Sequence, residues 1–167
     1  MKGVLTFRDA VISDAPILRH WDTLDHVIDS DPDDEWDWEL ELAKVVNWRV
    51  QWMFLLDGKP MGFVQIIDPE IEESHYWGQI GPGYRAIDIW IGPAEFLGKG
   101  YGTHMMQRAI DFCFADTTIH SIIIDPLVSN QSAIRFYQRI GFEFLELRKF
   151  EDSECSVHIL HRSKKNK

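Results

Sequence analysis

The stretch "FLGKGYGTHMM", Phe96–Met106, is the most informative part of the chain, because it places three glycines around Lys99. A strand-like segment ends near Ile91 before it, and apolar residues at helical spacing follow it. Glycines let the backbone turn tightly and bring its N–H groups against an anion, and the positive end of a helix dipole adds to the attraction. The stretch therefore predicts a strand–loop–helix unit that binds phosphate, although such turns also occur where nothing binds.

Two common phosphate loops do not fit this spacing. The nucleoside-triphosphate pattern G-x-x-x-x-G-K-S/T fails because five residues separate Gly92 from Gly98. It also fails because Gly100 follows Lys99 where a hydroxyl residue is required. The dinucleotide pattern G-x-G-x-x-G fails because Thr103 stands at the position of its third glycine. The device that remains is a helix N-terminus whose backbone amides hold the anion, with Lys99 as a supporting charge.

The first half of the chain predicts a strand, two helices and a hairpin. "VLTFRDA", Val4–Ala10, alternates like a strand, and Ser13 then precedes Pro16 as the cap of a helix. The acidic segment "DDEWDWELELAKVV" predicts a second helix. The β-rich runs of "VQWMFLLDGKPMGFVQIID" meet at Asp57 and Gly58, a strong hairpin signal.

The second half predicts alternating strands and helices. "YRAIDIWIG" alternates cleanly, so Asp88 and Trp90 lie on one face of a strand and Ile89 lies on the other. "SIIIDPLV" is typical of a short buried strand. "NQSAIRFYQRIGF" predicts a helix with Asn130 as N-cap and Gly141 at its end. Two further strands, "FEFLELRKF" and "CSVHIL", close the chain.

These elements predict an α/β fold, with a mixed sheet that has helices on both faces. No repeat or linker divides the chain, so we expect a single domain over residues 1–167 with a mobile basic tail at 162–167. His158 and His161 point to opposite faces of a strand, so we expect no metal site.

The composition of the chain limits its possible partners and its expected cellular location. A formal charge of -10 disfavours nucleic acid as a partner, and no apolar run approaches the roughly 20 residues of a membrane span. The two cysteines, Cys113 and Cys155, do not form a disulfide framework, although one bond between them is compatible with the sequence. We expect a cytoplasmic protein, monomeric or homodimeric. Eight carboxylates between Asp29 and Glu41 are either a solvated face or a rim that attracts a cationic substrate.

Beyond these patterns, the chain resembles the GCN5-related N-acetyltransferase (GNAT) superfamily, which binds the pyrophosphate of acetyl-CoA on such a loop. In the superfamily pattern Q/R-x-x-G-x-G/A, the glycines match Gly100 and Gly102, and Leu97 occupies the Gln/Arg position. "LGKGYGT" followed by "DPLVSNQSAIRFYQRIGF" resembles the branch of aminoglycoside 6′-N-acetyltransferases in particular. The likeness is good over Gly81–Phe142 and implies the GNAT fold, with a mostly antiparallel sheet.

The resemblance implies acetyl transfer from acetyl-CoA, without a metal, to a primary amine of a small cationic acceptor. An aminoglycoside 6′-amine is the leading expectation. The alternatives are another amine, such as a siderophore intermediate or a peptide amine, and a binding module that holds acyl-CoA without transferring the acyl group. The residues expected to contact the cofactor are Ile89, Trp90, Ile91, Leu97, Gly98, Lys99, Gly100, Tyr101, Gly102, Thr103, Asn130, Ala133 and Phe136.

Two residues are candidates for catalysis. Asp88 matches the catalytic aspartate of the branch, and it would receive the proton of the amine directly or through water. With a reference pKa of about 3.9 it would act mainly by binding and orienting the ammonium; alternatively, it is a strand carboxylate paired with a cation. Tyr137 stands where the superfamily places a tyrosine near the thioester sulfur. Proton transfer from a phenol to a thiolate is uphill by roughly 2 kcal/mol, so hydrogen-bond donation is the expected role, and simple packing is the alternative.

Four residues are candidates for binding the acceptor. Asp125 matches a branch residue that contacts the amine, and turn formation before Pro126 is an equally good explanation. Carboxylates among aromatic rings suit amines, which extends the candidate set to Trp90, Asp34 and Trp36.

Overall fold

A seven-stranded sheet organises the chain in the computed structural model, which describes residues 2–32 and 35–163. The strands are β1 (Leu5–Asp9), β2 (Arg49–Leu56), β3 (Lys59–Ile67), β4 (Tyr84–Ile91), β5 (Ser121–Ile124), β6 (Glu143–Phe150) and β7 (Ser153–His161). The sheet order is β1-β2-β3-β4-β5-β7-β6, and β4 and β5 form its parallel pair while the other neighbours are antiparallel.

Helices cover both faces of this sheet, as the sequence predicts. The helices are α1 (Ala15–Trp21), α2 (Asp25–Ser30), α3 (Trp38–Ala43), α4 (Tyr101–Ala115) and α5 (Gln131–Ile140). Helices α1 and α3 pack on one face, around Trp38, Met53 and Phe63, and α2 borders a small pocket beside Trp90 of that face. Helices α4 and α5 pack on the other face, where Met105 and Tyr137 belong to the largest core cluster.

The predicted turn between β2 and β3 and the predicted cap and end of α5 form as expected. Asp57 and Gly58 both take left-handed backbone angles, φ 49° and 81°, which is the geometry of a tight turn matched to the twist of the β2–β3 hairpin. Asn130 caps α5 by accepting a hydrogen bond from the amide of Ala133 at 3.2 Å. Gly141 ends the same helix with φ 122°.

The N-terminal helical region differs from its prediction. Ser13 lies within a 3-10 turn, Ile12–Asp14, and Asp14 is the N-cap position of α1. The carboxylate of Asp14 accepts hydrogen bonds from both terminal nitrogens of Arg8 and from the amide of Val11, each at 2.8 Å. The turn is therefore built around an ion pair to β1 that sequence spacing does not reveal.

Two further boundaries need correction. The sequence did not predict α2, and within the described part of the acidic segment the helix is α3 alone, which Asp37 caps by accepting a hydrogen bond from the Leu40 amide at 3.0 Å. Arg162, assigned to a mobile tail, donates hydrogen bonds to the carbonyls of Asp116 and Ile119 at 2.7 and 2.6 Å. The remainder of the predicted tail from residue 164 onward lies outside the described residues.

The two cysteines and His158 are buried in the fold. Cys113 and Cys155 are both free and buried, so the disulfide that the sequence left open does not form. His158 is buried in β7 beside Ser156, at 3.0 Å. Within residues 2–32 and 35–163, no cluster of three or more His, Cys, Asp or Glu side chains could hold a metal ion, and no helix is long and apolar enough to cross a membrane.

Candidate active site

A gap opens where β4 and β5 separate. The two strands pair from Tyr84 and Ser121 to Ala86 and Ile123, and β5 ends one residue later. The rest of β4 continues to Ile91 with β3 as its partner. Its other edge therefore faces a cleft of about 630 Å³ instead of a strand.

The cleft brings the predicted catalytic residues together with parts of the predicted cofactor site. Its lining combines the β4 segment after the separation point, the end of β5 and the first turns of α5. From the predicted set these are Asp88, Ile89, Trp90, Asp125, Asn130, Ala133, Tyr137 and Trp36.

The glycine loop lies between β4 and α4. Gly98 and Gly100 take φ angles of 70° and 88°, and a Cβ added to either would meet no atom within 4 Å. The first helical hydrogen bond of α4 is donated by His104 to the carbonyl of Gly100, so the amides before His104 have no acceptor within the helix. An open face above unpaired amides at a helix N-terminus fits a pyrophosphate.

The residues of the loop divide into exposed and packed positions. Leu97 and Lys99 are exposed, and the amide of Leu97 donates a hydrogen bond to the carbonyl of Ala94 at 3.1 Å. Gly102 is packed closely, because a Cβ there would lie 3.4 Å from side-chain atoms of Ile91 and Phe136. It lets α4 approach β4 and α5.

Tyr101 faces away from the loop. Its side chain is buried, its ring packs edge-on against Phe96, and its hydroxyl donates to the carbonyl of Lys2 at 2.6 Å. Tyr101 can therefore contact an anion only through its backbone amide, and the amide of Thr103 lies at the same helix end.

Asp88 is held by the neighbouring strand. In the antiparallel register Asp88 faces Gln65 of β3, whose side-chain nitrogen donates to the Asp88 carboxylate at 2.8 Å. Gln65 was not predicted as a site residue. Once the strand register is known, the alternation of "VQIID" places its side chain on the same face of the sheet as that of Asp88. The contact shows that Asp88 is anchored by a neutral amide.

Tyr137 holds its proton firmly. It is 9% exposed and borders the cleft. Burial, with further contributions from the negative charges of Asp88 and Asp125, raises the pKa of Tyr137 well above its usual value. The phenol is therefore a hydrogen-bond donor at any ordinary pH.

Asp125 is oriented by Tyr76, a residue that sequence reasoning missed. The Tyr76 hydroxyl donates to the Asp125 carboxylate at 2.5 Å, and its ring stacks on Phe150 at 4.4 Å with an interplanar angle of 4°. Although Tyr76 is nearly half exposed, loss of water around its hydroxyl and the charge of Asp125 raise the pKa of Tyr76, so it remains protonated. Asp125 thus has a side-chain contact beyond turn formation.

Glu72 shapes the segment that delivers Tyr76. Its carboxylate accepts hydrogen bonds from the amide and hydroxyl of Ser74 at 2.7 and 2.8 Å and from the amide of Tyr76 at 3.1 Å. Burial acts to raise the pKa of Glu72, but these hydrogen bonds outweigh it, and the pKa lies below its usual range. An anionic Glu72 therefore stabilises the turn that brings Tyr76 to Asp125.

Aromatic side chains form one wall of the cleft. Trp36 and Trp90 meet edge to face at 6.1 Å, and Trp38 stacks behind Trp36 at 5.2 Å. Trp52 lies on the opposite sheet face, against Phe112, and takes no part in this wall. Asp34, predicted to bind substrate beside Trp36, lies outside the described residues.

Acidic side chains dominate the described lining of the cleft. Eight carboxylates stand against two cations, Lys44 and Arg49. Arg49 contacts Glu41 at 2.6 Å, and Lys44 contacts Glu73 at 3.2 Å. Because both cations are engaged by carboxylates, the potential of the cleft favours a positively charged ligand. The eight are Asp31, Glu41, Glu72, Glu73, Asp88, Asp125, Glu151 and Asp152.

The split sheet, the glycine loop at the start of α4 and the acidic cleft are the features expected of an acetyl-CoA-dependent acyltransferase. Residues 11–150 match the acetyltransferase (GNAT) domain family, and the chain belongs to that family. It is 30% identical over 155 residues to the aminoglycoside N(6′)-acetyltransferase type 1 of Klebsiella pneumoniae, which covers 83% of this chain and 74% of the relative. The predicted family, fold and enzyme class are thereby confirmed.

Solved structures agree with this assignment. The chain superposes on aminoglycoside acetyltransferase AAC(6′)-Ib in complex with coenzyme A with a TM-score of 0.85, at 25% identity and 95% coverage of both chains. The complex of the same enzyme with coenzyme A and kanamycin gives a TM-score of 0.84, at 26% identity and 95% coverage of both chains.

Proposed function

We propose that the protein transfers an acetyl group from acetyl-CoA to a primary amine of an aminoglycoside, the 6′-amine in the first place. The observation that carries the proposal is the carboxylate-rich cleft directly beside the gap in the sheet, with Asp88 on its wall. The relatives named above are aminoglycoside acetyltransferases, which supports the same acceptor class. Each amine of such a substrate is largely cationic at neutral pH, so carboxylates attract and hold it.

The donor fits the loop at the start of α4. Backbone amides at Gly98–Thr103 would hold the pyrophosphate, and Lys99 would add a positive charge at the surface. When bound, acetyl-CoA supplies the activated thioester carbonyl. The edge of β4 beyond Ala86 offers main-chain groups to an extended ligand in the cleft.

The acceptor meets Asp88 and the aromatic wall. The carboxylate of Asp88 binds the ammonium, orients it and takes up its proton, directly or through water, so that a neutral amine attacks the carbonyl carbon. As the carbon–sulfur bond breaks, the phenol of Tyr137, which remains protonated, donates a hydrogen bond to the departing thiolate. The second proton, which the nitrogen loses as the amide forms, passes to that thiolate and gives free CoA. Asp125, held by Tyr76, supplies a second anionic contact for the acceptor.

The cellular location follows from the donor. Acetyl-CoA is a cytoplasmic metabolite, and two free buried thiols suit a reducing compartment. We therefore place the proposed reaction in the cytoplasm.

A panel of amines tests the acceptor class. Thiol release from acetyl-CoA is followed with kanamycin and ribostamycin, with spermidine, with a siderophore hydroxylamine precursor and with a short peptide. We expect an aminoglycoside to give the highest kcat/KM, and mass spectrometry of the product to locate the acetyl group on its 6′-nitrogen. Reaction with a simple amine while every aminoglycoside fails would overturn the acceptor and leave the enzyme class intact. Binding of acetyl-CoA without acetylation of any amine would favour the binding module.

Replacement of Tyr137 by phenylalanine tests the donor of the thiolate hydrogen bond. The ring and its packing against Phe136 and Phe142 are kept, while the hydroxyl is lost. We expect kcat to fall by about 100-fold, the usual cost of removing one donor to developing negative charge, with little change in KM for acetyl-CoA. Steady-state kinetics on the folded variant measure both constants. An unchanged kcat would reduce Tyr137 to a packing role.

A further inference from the structure

Three polar side chains form a row across three strands on the Asp88 face of the sheet. The register places Gln51 of β2 opposite Gln65 of β3, and Gln65 opposite Asp88 of β4. Side chains of directly opposed residues share a sheet face. Gln51 Nε2 donates to Gln65 Oε1 at 3.4 Å, and Gln65 Nε2 donates to Asp88 Oδ2 at 2.8 Å. The row therefore ends at the candidate catalytic carboxylate.

The charge of Asp88 sets the direction of this row. An ionised carboxylate can only accept hydrogen bonds, so the amide nitrogen of Gln65 must face it and the amide oxygen must face Gln51. Gln65 is 1% exposed, so water cannot replace either partner. Leaving one of its polar atoms unsatisfied would be costly, and each amide therefore has one favourable orientation.

Packing on the same face keeps the row in place. Phe63, which precedes Gln65 by two residues, and Trp90, which follows Asp88 by two, contact each other at a centroid distance of 5.3 Å. Both belong to the cluster of the α1–α3 face. Apolar neighbours exclude water and strengthen the hydrogen bond from Gln65 to the carboxylate.

A neutral donor has a different consequence from a cationic one. Glu41, elsewhere in the cleft, is bound by Arg49 and Lys44 at 2.6 and 3.6 Å, and its charge is compensated. The amide of Gln65 restrains Asp88 but adds no positive charge. Gln65 thus orients the carboxylate without itself compensating its charge.

We infer that Gln65 is a positioning residue that aims the Asp88 carboxylate at the acceptor amine, and that Gln51 sets the orientation of Gln65 in turn. The inference rests on the proposed function, because it presupposes that Asp88 engages the amine. It adds two residues of β2 and β3 to a reaction that the sequence assigns to β4 and α5.

Two substitutions of Gln65 test the inference. Gln65→Met keeps the length of the side chain and removes its donor, and we expect kcat to fall by about 10-fold with KM for acetyl-CoA unchanged. Gln65→Glu places a second carboxylate beside Asp88, and two adjacent carboxylates take up a proton at a higher pH than one. We therefore expect the acidic limb of the kcat/KM profile to move to higher pH.

Two further variants separate positioning from folding. Val64→Ala creates a cavity in the same strand, but Val64 belongs to the core of the opposite face. We expect it to lower Tm and leave the pH profile in place. Gln51→Met removes only the outer hydrogen bond of the row, and a fall in kcat of about two- to three-fold is expected, because that bond is long at 3.4 Å. It also provides the measurement if Gln65→Met does not fold.

The outcomes distinguish the inference from the function on which it rests. If the wild-type protein acetylates no amine, or if Asp88→Asn is fully active, the proposed function itself fails. If the wild type is active and Asp88→Asn is not, the proposed function stands. If, in that case, Gln65→Met has the same kcat as Val64→Ala and Gln65→Glu keeps the wild-type pH profile, the positioning role alone is overturned. A shifted profile in Gln65→Glu together with a lower kcat in Gln65→Met supports it.

Discussion

Replacement of Asp88 by asparagine is expected to lower kcat/KM for the amine by about 100- to 1,000-fold, within the range that general acid–base catalysis supplies. The variant loses both the negative charge that holds the ammonium and the site that takes up its proton. Its amide oxygen can still accept the hydrogen bond that Gln65 now donates at 2.8 Å, so the strand register should remain. Thiol release at varied amine concentration measures the loss, and thermal unfolding verifies the fold.

A neighbouring carboxylate provides the matched control. Asp68, directly after β3, pairs with Arg85 at 3.1 Å and does not line the cleft. Asp68→Asn removes the same charge from the adjoining strand region, and we expect its kcat/KM to stay within about two-fold of the wild type, because neither Asp68 nor Arg85 lines the cleft. If Asp88→Asn were folded and as active as Asp68→Asn, Asp88 would not be the residue that receives the proton.

Replacement of Gly100 by valine is expected to raise KM for acetyl-CoA by about 30-fold or more, the equivalent of one or two lost hydrogen bonds to a charged group. Gly100 has φ 88°, a conformation that a β-branched residue adopts only under strain. The backbone would rotate to relieve that strain, and the amides at the start of α4 would then no longer point in the same direction. The new side chain would also enter the open space above the loop, where a Cβ now meets no atom within 4 Å.

Two controls isolate the role of the backbone. Gly58 in the β2–β3 turn has a similar φ of 81° and equally open surroundings, so Gly58→Val should lose stability and leave KM for acetyl-CoA unchanged. Lys99 is exposed, and we expect Lys99→Ala to raise that KM by less than about five-fold. A larger effect at Lys99 than at Gly100 would show that the lysine side chain, and not the amides, holds the phosphates.

Elements with local signals were predicted well from the sequence. The hairpin at Asp57 and Gly58 and the cap at Asn130 each depend on a few consecutive residues, whose backbone preferences act before the fold is complete. The start of α4 after the glycine loop is of the same kind. The alternation around Asp88 also held, because successive strand residues point to opposite faces: Ile87, Ile89 and Ile91 pack in the core of one face and Trp90 packs on the other.

Elements that depend on distant partners were missed or misplaced. The 3-10 turn before α1 is built on the ion pair of Asp14 with Arg8, and this interaction overrides the cap signal of Ser13. Arg162 looked like part of a basic tail, but carbonyls at the end of α4 and before β5 hold it. Neither set of partners is marked by spacing along the chain.

The acceptor side of the site also combines features that the sequence predicts with features that only the tertiary structure shows. The sequence alone determined the position of the glycine loop before a helix, the alternation of residues around Asp88 and the cap of α5, because each is a repeating or local backbone preference. Only the tertiary structure brought Gln65 to Asp88 and Tyr76 to Asp125, across 23 and 49 residues of chain. The first contact depends on the strand register, and the second on the turn that Glu72 stabilises. Such pairings are chosen by packing and hydrogen-bond satisfaction over the whole fold.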